Sequence, residues 1–129
     1  MRTIAFAAAA AALTLVLAQS VHAEGDAAAG EKVFTKCKTC HEIASEKNKV
    51  GPTLHGVIGR KSGTVAGFKY SEAMTAAGVT WDATTIAEYV AKPKEFIPGN
   101  KMAFAGLKKD DEIANVIAYL KADPKPTKP

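Results

Sequence analysis

Apolar side chains recur at helical spacing in two stretches, one near each end of the chain. Ala29, Val33, Phe34 and Cys37 share one face of a segment opened by Asp26, which predicts a helix capped by that carboxylate and running to about Lys36. Ile113, Val116, Ile117 and Leu120 follow the i, i+3, i+4, i+7 rhythm and predict a helix from an Asp110 cap to about Lys121. Gly30 sits on the first apolar stripe, where glycine weakens a helix relative to alanine, so close approach by another helix is its expected compensation. The two terminal helices should therefore cross near Gly30, with Phe34 and Tyr119 packed around the crossing. A third helix is predicted from Ala83 to about Lys92, capped by Asp82 and ended by Pro93. A short helical turn should run from Ser71 to Ala77 and stop at Gly78. Strand signals and internal repeats are lacking, so the chain reads as all-α. Residues 42–69 are glycine-rich and read as ordered loop, a length that in a compact domain normally serves function.

The ends have a different character. Met1, Arg2 and Thr3 precede an Ala/Leu-rich run to about Ala18, followed by Val21-His22-Ala23. This order of basic start, apolar stretch and small-residue site predicts a signal peptide over residues 1–23, cleaved after Ala23. The apolar run is short against the ~20 residues that a membrane span needs. Residues 24–122 then form one small domain, and the proline-rich residues 123–129 are expected to be a disordered tail. The net charge of +4 falls to +3 when Arg2 leaves with the leader. So modest an excess, on an exported chain without an arginine-rich or aromatic-interleaved patch, speaks against nucleic-acid binding.

Cys37-Lys38-Thr39-Cys40-His41 spells C-x-x-C-H. Two thiols at this spacing can add to the two vinyl groups of one porphyrin, and the following imidazole then lies under the iron as proximal ligand. Other uses of a C-x-x-C pair fit less well. A redox dithiol wants a βαβ setting, and a zinc site needs four ligands, yet Cys37 and Cys40 are the only cysteines. A structural disulfide would leave His41 unexplained. The expected cofactor is one haem c, attached through Cys37 and Cys40, with His41 on the iron.

The opposite axial position has four candidates: Met74, Met102, His55 or an open site. Met102 follows Ile97-Pro98-Gly99-Asn100-Lys101 in a loop about sixty residues beyond His41, long enough to reach round a porphyrin. Met74 falls within a predicted helix, where methionine is usually core filler. His55 comes soon after His41 and is expected to face solvent. Met102 is therefore the expected second ligand. A soft thioether favours ferrous iron, and filling both positions excludes oxygen and peroxide.

Several segments together resemble class I cytochrome c, in particular the short mitochondrial-like and bacterial cytochrome c2 group. They are the C-x-x-C-H motif, Gly51-Pro52-Thr53-Leu54-His55-Gly56, Gly59-Arg60-Lys61-Ser62-Gly63, Ala66-Gly67-Phe68-Lys69-Tyr70 and Ile97-Pro98-Gly99-Asn100-Lys101-Met102-Ala103-Phe104-Ala105-Gly106. The resemblance implies short helices and ordered loops wrapped round one haem. It implies that Pro52 offers its carbonyl to His41 and that Arg60, Tyr70 and Trp81 donate to a buried propionate. Tyr89 would sit near the Met102 sulfur, and Phe104 would cover a porphyrin edge. Asn100 stands where the family often has threonine, and Met74 where it often has asparagine. Lys36, Lys49, Lys94, Lys101, Lys108 and Lys109 match positions that ring the exposed haem edge and dock acidic faces of redox proteins.

The function so implied is a soluble, monomeric, periplasmic mono-haem electron carrier and not an enzyme. It would take electrons from a cytochrome bc1 complex and deliver them to a terminal oxidase or a photosynthetic reaction centre. The competing classes are a peroxidase-like haem enzyme and a gas-binding haem sensor. A dihaem peroxidase would need a second C-x-x-C-H, which the sequence lacks, and Met102 argues against a vacant sensor site.

Overall fold

The computed structural model describes residues 25–122. The predicted leader, its cleavage point after Ala23 and the proline-rich tail lie outside the described residues. Five helices follow in order: α1 (Ala27–Phe34), α2 (Glu72–Ala76), α3 (Ala83–Ala91), α4 (Pro93–Phe96) and α5 (Asp110–Lys121). Among the described residues the only β pairing is an isolated antiparallel bridge between Lys61 and Thr80. No described helix is long and apolar enough to cross a membrane.

Each helix starts where side-chain chemistry permits. Asp26 accepts from the amides of Ala28 and Ala29 at the head of α1. Asp82 and Thr85 form a reciprocal capping box on α3, so two amides that the first turn would leave unpaired are satisfied. α5 differs from expectation, because Asp110 is its first residue and Lys109 is the residue before it. Asp110, Asp111 and Glu112 instead place three carboxylates in the first turn, where the helix dipole favours negative charge. Pro93 ends α3 as foreseen, but it also starts α4, since a ring-fixed φ suits a first helical position.

α1 and α5 make the main helix pair. Gly30 is the reason they can approach: a Cβ there would run into the Asn115 carbonyl and come within 2.8 Å of the Tyr119 Cβ. The Asp26 amide donates to Asn115 Oδ1 at 2.8 Å, tying the start of α1 to the middle of α5. Phe34 and Tyr119 meet beside the crossing, their ring centroids 5.3 Å apart. Val33, Phe34, Val116 and Ile117 join Ile86, Tyr89, Ile97, Leu107, Trp81, Ile43 and Val57 in one buried cluster.

The long loop is ordered by hydrogen bonds. Thr53 is fully buried; its hydroxyl donates to the Ser45 carbonyl at 2.5 Å and accepts from the His55 amide at 3.1 Å. Asn48 accepts from the Thr53 amide and donates to the Ala66 carbonyl, joining two parts of the loop. Residues 59–62 then run beside residues 79–81 through Gly59–Trp81, Trp81–Arg60 and Ser62–Val79 backbone bonds.

Candidate haem-attachment site

α1 stops at Phe34, and a run of turns carries the chain through Cys37 and Cys40 to His41. The amides of Cys40 and His41 both donate to the Cys37 carbonyl, which winds the motif into a single tight turn. No disulfide joins Cys37 to Cys40. Burial pushes the Cys37 thiol up to about 11, with Lys36 opposing the shift. No group of three or more His, Cys, Asp or Glu side chains that could hold a metal ion occurs among the described residues.

His41 is fixed from two sides. Its Nδ1 lies 2.7 Å from the Pro52 carbonyl oxygen, which selects the tautomer with the proton on Nδ1 and leaves the Nε2 lone pair available to a metal. Gly51 lies flat against the ring: an added Cβ would strike Cε1 and stand 2.7 Å from Nδ1 and 2.9 Å from Nε2. The Gly51 amide donates to the Cys40 carbonyl at 2.8 Å, so the loop bearing this support is bonded to the motif it supports. Burial lowers the His41 pKa, Arg60 and Lys49 lower it further, and the Pro52 bond opposes them. The net effect keeps the imidazole neutral, the form a metal needs.

Met102 is half-buried and packs against the same apolar cluster as Cys37, Leu54, Met74 and Phe104. Its amide donates to Asn100 Oδ1 at 2.9 Å, and its carbonyl accepts from the Phe104 amide at 2.9 Å. Two thiols in one turn, a neutral imidazole beside them and a thioether on the same cluster are a donor set suited to haem c.

The remaining sequence candidates have definite surroundings. Arg60 donates to the Thr53 carbonyl at 2.7 Å and to the His55 carbonyl at 3.2 Å, bracing the segment that follows Pro52. The Tyr70 hydroxyl accepts from the Val65 amide at 3.0 Å, which leaves its own proton to donate. Trp81 is buried, with its ring centroid 5.1 Å from that of Tyr89. Tyr89 donates to Asn100 Oδ1 at 3.4 Å, and burial pushes its hydroxyl up to about 12. Met74 lies in α2 against the core, in the filler role expected of it. His55 departs from expectation. It is half-buried, its Nδ1 is 3.1 Å from the Ile43 carbonyl, and its Nε2 is 3.9 Å from Glu46. From sequence alone Asn48 and Thr53 had no role, because polar residues in a glycine-rich loop carry no periodic signal, and Asn100 stood out only as a departure from the family's threonine.

A family model described as Cytochrome c matches residues 27–122. The chain belongs to the cytochrome c family. It is 55% identical over 96 residues to cytochrome c2 iso-2 of Magnetospirillum molischianum, covering 74% of this chain and 96% of that protein. Identity to cytochrome c-550 of Nitrobacter winogradskyi is 54% over 97 residues, covering 74% of this chain and 89% of that one. The solved structure of cytochrome cH from Methylobacterium extorquens superposes with a TM-score of 0.73 at 47% identity, covering 76% of this chain and 99% of that one. As a cytochrome c, the protein has the small all-α fold of the class, with one covalently attached haem c. Cys37 and Cys40 stand at the C-x-x-C-H spacing that this attachment requires. Its role is mono-haem electron carriage, and it is not an enzyme.

Proposed function

We propose that this cytochrome c is a periplasmic carrier that moves one electron at a time from a cytochrome bc1 complex to a terminal oxidase or a photosynthetic reaction centre. His41 and Met102 are the two iron ligands in this reading. The observation that carries it is the His41–Pro52 contact of 2.7 Å, which holds the ring in the ligating tautomer. The bound haem supplies the one-electron couple. The protein's part is to hold two uncharged donors, bury the centre and leave no axial place for oxygen or peroxide. Arg60, Tyr70 and Trp81 serve a propionate, Tyr89 stands on the methionine side, and Phe104 covers an edge.

Docking is assigned to Lys36, Lys49, Lys94, Lys101, Lys108 and Lys109, all of which are exposed. Such a ring suits brief, oriented contact with acidic faces and makes the on-rate sensitive to salt. Export by cleavage after Ala23 belongs to the same proposal.

The test is a visible spectrum of the oxidised and reduced protein, with carbon monoxide added to the reduced form. The expected result is low-spin iron, a methionine-to-iron charge-transfer band that disappears in Met102→Ala, and negligible carbon monoxide binding. Persistence of the band in that variant would refute Met102 as ligand.

A further inference from the structure

Asn100 uses every hydrogen-bonding position of its side chain on the loop that bears Met102. Its Nδ2 donates to the carbonyls of Pro93 and Ile97, each at 2.8 Å. Its Oδ1 accepts from the Met102 amide at 2.9 Å and from the Tyr89 hydroxyl at 3.4 Å. A primary amide has two N–H groups and two lone pairs, so its capacity is filled. The two carbonyls already accept backbone amides, Ile97 on Pro93 and Asn100 on Ile97. The side chain therefore takes second lone pairs and ties α3, both ends of α4 and Met102 into one network. Phe104 holds the Met102 carbonyl from the other side. Both backbone polar groups of Met102 are thereby fixed, one of them by the Asn100 side chain alone.

We infer that Asn100 is the positioning residue that keeps the Met102 thioether on the iron against competing ligands. The inference rests on the proposed reading of Met102 as axial ligand. A thioether is neutral and weakly held, so its retention depends on how firmly the loop presents it. Other side chains hold this loop by fewer bonds. A threonine hydroxyl has one donor and can reach only one of the two carbonyls, and an aspartate has none and sets a negative charge against both.

The test uses the oxidised holoprotein titrated with imidazole, read as loss of the methionine-to-iron charge-transfer band, with denaturant unfolding in parallel. Asn100→Ala should bind imidazole about tenfold more tightly than wild type or better, the loss of its four side-chain hydrogen bonds being ample for that. Asn100→Asp should match or exceed it. Asn100→Thr should fall between alanine and wild type, and it carries the test if the alanine variant does not fold. Asp82→Ala removes the distant α3 cap and serves as control: it should lower the unfolding midpoint while leaving imidazole affinity within about twofold, since the two sites share no partner. Wild-type imidazole affinity in the Asn100 variants, or an equal gain in Asp82→Ala, overturns the inference. A charge-transfer band that survives Met102→Ala is a different failure, because it removes the ligand reading itself.

Discussion

The imidazole of His41 is bonded through Nδ1 to the carbonyl of Pro52, 2.7 Å away and eleven residues on, with Gly51 pressed against the ring face. Any side chain at residue 51 must displace the ring or the loop. Gly51→Ala should therefore lower stability by about 1–3 kcal/mol, the usual range for overpacking. It should also perturb the His41 environment, seen as altered low-spin signals in electron paramagnetic resonance. Unchanged signals and an unchanged unfolding midpoint would show that the loop yields freely.

Gly30 offers a test in which two effects have opposite signs. Helix propensity alone makes Gly30→Ala stabilising by roughly 1 kcal/mol. The close approach of Asn115 and Tyr119 makes it destabilising, by about 3 kcal/mol where rigid backbone blocks relaxation. We expect destabilisation, and the sign of the shift in chemical unfolding decides which effect wins.

The Asp82 cap predicts a pH dependence. Its backbone bond with Thr85 holds the Asp82 pKa below the ordinary 3.8. A group depressed on folding contributes its stabilisation above the unfolded value and loses it as pH falls through the folded value. The stability difference between wild type and Asp82→Asn should hold steady above about pH 5 and shrink below pH 3.8. Denaturant midpoints measured across that range check it; a difference that grows in acid has the wrong sign.

Lys36 pairs with Glu112 at 3.3 Å, whereas no ion pair engages Lys101 among the described residues. The paired charge should steer partners less. With an acidic redox partner at low salt, Lys101→Ala should slow association about two- to threefold and Lys36→Ala less, the difference vanishing as salt screens both. Stopped-flow rates against ionic strength would show it. An equal effect of the two changes would mean that Glu112 does not offset Lys36.

The buried cluster holds eleven apolar side chains. A core of that size is marginal without a cofactor at its centre. Cys37→Ala combined with Cys40→Ala should leave a chain with little helical circular dichroism and no cooperative thermal transition. Native-like helicity in that form would show that the peptide core suffices alone.

Much of this was legible in one dimension. The α1 and α5 stripes, the Asp26 and Asp82 caps and the stop at Pro93 are local consequences of side-chain periodicity and proline geometry. The C-x-x-C-H motif is local too, since thioether attachment requires two thiols and an imidazole within one turn. Its order with Pro52 and Met102 carried the resemblance to class I cytochromes c.

Tertiary structure decided what depends on residues far apart. Gly30 was a weakness in α1 until Asn115 arrived against it, and His55 gained Ile43 and Glu46 as partners because the loop folds back. α4 exists because the chain turns after Pro93, and the Asn100 amide closes that turn on Met102 by gathering partners from α3 and both sides of α4. Spacing can announce which groups carry the chemistry; the hydrogen bonds that aim them form between segments that only folding brings together.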